Sequence, residues 1–110
     1  MSFESSISVT NSANRSVILY LEPWGDQFEM LPATTLCLIA RAVQPGSFEI
    51  EHLEDEIIVW AWTGSVVSVF SEGNEACILN GDERPPVPEV PEGQSVSGFL
   101  RTLLGKDRSH

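Results

Sequence analysis

From Phe3 to Asn80 turn-forming residues cut the chain into short β-branched and aromatic runs, and no run shows the three-to-four-residue apolar period of a helix. "FESSISV" alternates with period two, "TNSAN" reads as a hairpin loop, and "SVILYLE" follows. After the "PWGD" turn come "QFEM", a break at "LPA", and "TTLCLIARAV". "QPGS" leads into "FEIEHL", "EDE" into "IIVWAW", "TGS" into "VVSVF", and "SEGNE" into "ACILN". The spacing predicts an all-β fold: an antiparallel β-sandwich or flattened barrel of about seven to eight short strands. The missing helical period argues against βαβ units and a parallel sheet.

Alternation within the runs carries a second message. In "FEIEHL" Phe48 and Ile50 face one side and Glu49 and Glu51 the other, so one side is expected to be wet. "SVILYLE", "TLCLIA" and "IIVWAW" are apolar on both faces, and something must cover the second one. The cover is either the tail of the same chain or a second copy; a small two-sheet sandwich buries only one face of each sheet, so a second copy, in a homodimer, is the expected one.

Beyond Asn80 the character changes. "NGDERPPVPEVPEG" holds prolines 85, 86, 88 and 91, four of the seven in the chain, and reads as an extended spacer that stays out of a sheet. "SVSGFLRTLLGKDRSH" carries helix signals: Ser95 or Ser97 to cap the start and Gly105 to stop the end. Val96, Phe99, Leu100, Leu103 and Leu104 fall on one helical face. The expected organisation is a β domain at 1–82, a Pro-rich spacer at 83–95, and a short basic amphipathic helix with its tail at 96–110. A helix this short does not stand alone in water. It is expected to dock on the domain or its dimer mate, with recruitment of a different protein as the alternative.

Charge narrows the partners. The net charge is −10, spread as −11 over residues 1–83, −1 over 84–95 and +2 over 96–110. An acidic body repels a phosphate backbone, so nucleic acid is not an expected partner. No apolar stretch is long enough for a membrane span, and "MSFESSISVT" lacks the basic start and apolar run of a signal peptide. Cys37 and Cys77 sit in apolar runs; a disulfide between them is one reading, but with no secreted-type framework the expected state is two buried thiols in a reducing cytoplasm.

Chemistry-bearing motifs are few. His52 and His110 are the only histidines, and His52 is expected at the surface. The carboxylates at 49, 51, 54, 55 and 56 match no calcium loop, and no nucleophile elbow or phosphate-binding glycine pattern occurs. No metal or cofactor is expected. Arg41, a cation inside "CLIARAV", is expected to pair with Glu22 or Asp26, or else to hold a ligand carboxylate. Trp24 is flanked by Pro23 and Gly25, which make the turn tolerant of any middle residue. It reads as a lid on the open end of the core, or, with Trp60 and Trp62, as an aromatic ligand or partner surface.

The hairpin layout with its "LPATT" break resembles the cupin family of small β-barrels. That family's metal motif needs an H-x-H pair, which is absent, so its ligands and activities carry over onto no residue here. "LYLEPWGDQFEMLP" followed by a W-x-G-S-V-V pattern resembles a family of small bacterial β-domain proteins with an E-P-W-G turn, a likeness spanning residues 15–72. That resemblance brings no catalytic or binding residue with it. The function expected from these readings is a non-enzymatic interaction or accessory protein that self-associates through its sheets. One alternative is a small-ligand binder or cupin-like enzyme near Trp24 and Arg41. Another is an acidic inhibitor or immunity-type protein that masks a basic partner.

Overall fold

The structure is a computed structural model that describes residues 2–72 and 77–88. Among the described residues eight strands form two four-stranded sheets, within the seven to eight strands expected: β1 (Phe3–Thr10), β2 (Val17–Glu22), β3 (Asp26–Met30), β4 (Thr35–Ala42), β5 (Glu49–His52), β6 (Glu56–Trp60), β7 (Ser65–Ser71) and β8 (Cys77–Leu79). The strand orders are β1-β4-β7-β8 and β3-β2-β6-β5, and a 3₁₀ turn spans Gly81–Glu83. The spacer beyond residue 88 and the helix at 96–110 lie outside the described residues. No described helix is long and apolar enough to cross a membrane.

Period-two alternation builds the core. Leu36, Leu38 and Ala40 of β4, with Val67 and Val69 of β7, point inward from one sheet. Leu19 and Leu21 of β2, Met30 of β3, and Ile57 and Val59 of β6 meet them from the other. Each aliphatic side chain so buried stabilises the fold by about 1.5–3 kcal/mol before ordering costs.

Five of the six strand pairings are antiparallel, and β2–β6 is parallel. Two local features account for these connections. "TNSAN" is not the hairpin loop its composition suggests, because β1 pairs with β4 while β2 lies in the other sheet. Buried Asn11 fixes this crossover. Its amide donates to the carbonyls of Arg15 (2.8 Å) and Met30 (2.9 Å), and its side-chain oxygen accepts from Ala13 N–H (2.9 Å). Its backbone also pairs with Thr34 and Ala33, so the β1–β2 and β3–β4 connections are latched together. At the other end of that loop Arg15 donates to Asp55 (2.8 Å) and to the Glu54 carbonyl (2.9 Å), and Ile18 N–H donates to the Asp55 carbonyl (3.1 Å). These contacts set the start of β2 beside the start of β6, and the parallel register Ile18–Glu56 through Glu22–Trp60 follows.

Two expectations need correction. Cys77 is exposed and Cys37 is partly buried; both are free. Both align with Phe70 from opposite sides, two strand spacings apart at about 9.6 Å, beyond the reach of a disulfide. The Glu49/Glu51 side of β5 is half-buried rather than wet, while Ile50 on the other side is 43% exposed because β5 is an edge strand.

Candidate functional site

The most elaborate local arrangement lies where the parallel strands β2 and β6 end together. β2 runs into a tight turn with a cis Glu22–Pro23 bond, and Gly25 takes a positive φ of 81° and donates to the Leu21 carbonyl (2.9 Å). That φ suits glycine, which has no Cβ to clash. Trp24 is thereby held, partly buried, at the rim of the core. Asp26 opens β3 opposite Leu21, with its side chain on the core-facing side of the sheet.

The segment from Gly81 to Val87 closes over this end as a strap. Gly81 N–H donates to Ser68 Oγ (3.0 Å), and a Cβ at Gly81 would stand 2.3 Å from the Val67 carbonyl oxygen. Asp82 pairs with Arg41 of β4. Arg84 grips Asp26 with both terminal guanidinium nitrogens, Nη2 donating to Oδ1 at 2.8 Å and Nη1 to Oδ2. The side chains of this pair are only 20% and 21% exposed. The Asp26 hydrogen bonds hold the Arg84 pKa above its ordinary value against the opposing effect of burial. The guanidinium lies 5.0 Å from the centre of the Trp24 ring, a cation–π contact, and Trp24 Nε1–H donates to the Pro85 carbonyl (3.0 Å). Val87, 3% exposed, donates to the Ser65 carbonyl (3.0 Å) and accepts from Gly64 N–H (2.9 Å).

The residues predicted as a ligand or partner surface are therefore distributed as follows. Trp24 and Arg41 are the two anchor points of the strap, and the partner of Arg41 is Asp82, not Glu22 or Asp26. Trp60 (6% exposed) and Trp62 (7%) are buried and offer no aromatic surface. Trp62 donates to the Gln44 carbonyl (3.1 Å), meets Phe48 edge-on at 5.5 Å, and lies against Gly46, where a Cβ would fall 2.2 Å from its ring. Val96, Phe99, Leu100, Leu103 and Leu104 lie outside the described residues. His52 is exposed, and among the described residues no three metal-ligating side chains cluster.

The Arg84–Asp26 latch and the Val87 anchor escaped sequence reasoning, which treated 83–95 as a spacer. The usable signal was Val87 itself. In "RPPVP" it alone among residues 85–88 retains a backbone N–H, and it is the residue that pairs with β7. Chemically the arrangement is a closure: its donors and acceptors satisfy one another within the chain. No protein-family model, curated protein or solved structure matches this chain.

Proposed function

We propose that this protein is a non-enzymatic interaction module that forms a homodimer through the outer face of its β1-β4-β7-β8 sheet. The observation that supports this reading is the charge map of that face. Across the three longer strands the outward residues are Glu4, Ser6, Ser8 and Thr10, then Arg41, Ile39, Cys37 and Thr35, then Val66, Ser68 and Phe70. Ile39, Cys37, Val66 and Phe70 are half-buried and form an apolar stripe bordered by hydroxyls. The hydroxyls bond across strands, as in Thr10 Oγ1–Thr35 Oγ1 at 2.8 Å. The only charges are Glu4 and Arg41, which stand opposite each other in register, and Arg41 also holds Asp82.

A chain of net charge −10 repels its own copy over most of its surface. Two copies related by a twofold axis present the same patch to each other, so the patch must be nearly neutral and self-complementary. The outer face of the β1-β4-β7-β8 sheet meets this condition. The other sheet's outer face, with Glu22, Glu29, Glu49, Glu51 and Glu56, does not.

Sedimentation velocity at micromolar to millimolar concentration tests the reading. The wild-type chain is expected to sediment as a dimer, and Ile39→Glu or Val66→Glu to give a folded monomer. A wild-type chain that stays monomeric throughout would overturn the proposal.

A further inference from the structure

Residues 84–88 are held against the domain as a peptide ligand is held, by two side chains and three backbone groups, while their prolines face solvent. Arg84 is half-buried and Val87 is 3% exposed, whereas Pro85, Pro86 and Pro88 are exposed. The backbone groups are the Pro85 carbonyl, which accepts from Trp24 Nε1–H, and the N–H and carbonyl of Val87, which pair with Ser65 and Gly64. The sequence sets this spacing. A proline ring fixes φ at about −65° and drives the residue before it to extended backbone, which together cover all five positions of "RPPVP". Arg84 accordingly lies at φ −136° and ψ 159°. Such a chain turns once in ~3 residues, so Arg84 and Val87 point the same way, at the domain, and the prolines between them point elsewhere.

The surface that receives them is built without their help. The Trp24 turn is closed by Gly25 N–H on the Leu21 carbonyl, and Asp26 is placed opposite Leu21 by the β2–β3 pairing. The turn between β6 and β7 is closed by Ser65, whose N–H (3.0 Å) and Oγ–H (2.6 Å) both donate to the Trp62 carbonyl. Gln44 donates to the Thr63 carbonyl (3.0 Å) in the same turn. Upstream, Gly81 and Asp82 are moored separately, on Ser68 and Arg41. Residues 84–88 can therefore lift from this ledge while the ledge and the mooring both keep their own bonds.

We infer that Trp24, Asp26 and the turn at Gly64 and Ser65 form a binding site for proline-rich segments of the pattern Arg-Pro-Pro-aliphatic, and that a segment of this chemistry on another protein takes the place of residues 84–88. The occupant seated in the structure defines the ligand. Asp26 accepts from both terminal nitrogens of the arginine, a planar bidentate fit that lysine cannot reproduce. The Trp24 ring lies beside the same cation, and its indole N–H takes the carbonyl of the next residue. Aromatic-lined grooves capture polyproline segments in this way, at little ordering cost because the ligand is already extended. A chain of net charge −10 also favours a cationic ligand over an acidic one. Residues 84–88, tethered at an effective concentration on the order of millimolar, act as an internal competitor. A ligand in trans engages fully only when the cis contacts are weakened or its own are better. The site uses none of the outward residues of the β1-β4-β7-β8 sheet, so it stands or falls apart from the dimer proposed above.

A peptide titration tests this. The probe is acetyl-ERPPVP-amide, the sequence of residues 83–88, added to the full-length, isotope-labelled chain with the Trp24 indole N–H resonance as the readout. The double variant Arg84→Ala with Val87→Ser, which weakens the cis contacts, is expected to bind the peptide at least ~10-fold more tightly than the wild-type chain. Replacing the peptide's arginine by alanine should weaken that binding ~10-fold or more. The melting temperature of the double variant should rise with peptide concentration, since a ligand of the folded state stabilises it, and this readout holds even where the variant is partly unfolded. Arg84→Ala alone, which keeps Val87, should bind with an affinity between those of the double variant and the wild type. Two results would overturn the inference. One is no saturable shift and no melting rise in either variant at up to ~5 mM peptide, above the effective concentration of the tethered segment. The other is equal binding of a peptide with the same residues in scrambled order, which would leave residues 84–88 a structural closure and nothing more.

Discussion

Removing the Arg84 guanidinium tests whether the strap is a structural closure. Arg84→Ala deletes two hydrogen bonds to Asp26 and the contact with the Trp24 ring. Exposed ion pairs contribute ~0.2–1 kcal/mol, but this one is bidentate and about four-fifths buried, which moves it above that range. Hydrogen bonds to a charged group contribute ~1.5–3 kcal/mol and a cation–π contact ~0.5–1, so the loss should be about 2.5 kcal/mol. With an unfolding entropy of ~2.1 cal/mol/K per residue, a 110-residue chain should melt about 10 °C lower. A double-mutant cycle with Asp26→Ala isolates the pair and should return a coupling of roughly 1–2 kcal/mol, because each single variant leaves its partner largely buried. The sign with pH follows from the raised Arg84 pKa: its contribution is fully present below the guanidinium's ordinary value and is lost only as pH rises through the higher folded-state value. The Arg84→Ala deficit should therefore be flat across the neutral range. A melting shift under ~2 °C with additive single effects would show the contact to be incidental.

Other outcomes follow from the same structure. Gly81→Ala places a methyl group on the β7 backbone and should cost ~1–3 kcal/mol in thermal unfolding, where an exposed strap would tolerate it. Asn11→Ala leaves buried groups of both crossovers unpaired and should cost ~2–3 kcal/mol, whereas a hairpin loop at this position would lose under ~0.5. Prolonged chelation should leave the melting curve unchanged and elemental analysis should find no stoichiometric transition metal, since His52 and the chain-terminal His110 are the only histidines.

The strands were legible as short β-branched and aromatic runs set off by turn residues, and the eight described strands appear where the runs lie. Sheet membership was not legible. "TNSAN" has the composition of a hairpin loop, yet what decides its path is Asn11 bonding to Met30, nineteen residues away. Local turn chemistry specifies that the chain bends and leaves open which strand it bends toward. The Trp24 turn was legible as a lid, and its covering partner was hidden because proline-rich composition argues against sheet pairing except where a single N–H remains. Arg41 was recognisable as an ion-pairing residue. Its partner was misassigned because Asp82 comes from the 3₁₀ turn after β8, whose position depends on Gly81 fitting against β7.

The parallel pairing of β2 with β6 bears on how the chain acquires its structure during synthesis. Ile18 meets Glu56 at the centre of one sheet and Phe3 meets Ala42 at the edge of the other, and each contact closes a loop of nearly forty residues. Only the β2–β3, β5–β6 and β7–β8 pairs join consecutive strands. At ~5–20 residues per second a ribosome takes several seconds to make this chain, and through about the first half of that time β2 has no parallel neighbour. Its side chains Leu19 and Leu21 must wait, exposed, for Ile57 and Val59 to emerge. Pairings this distant place the domain among slow folders, on the millisecond-to-second scale. A nascent chain stalled before residue 56 would be a target for chaperones, and the same chain released with β6 and β7 complete would not.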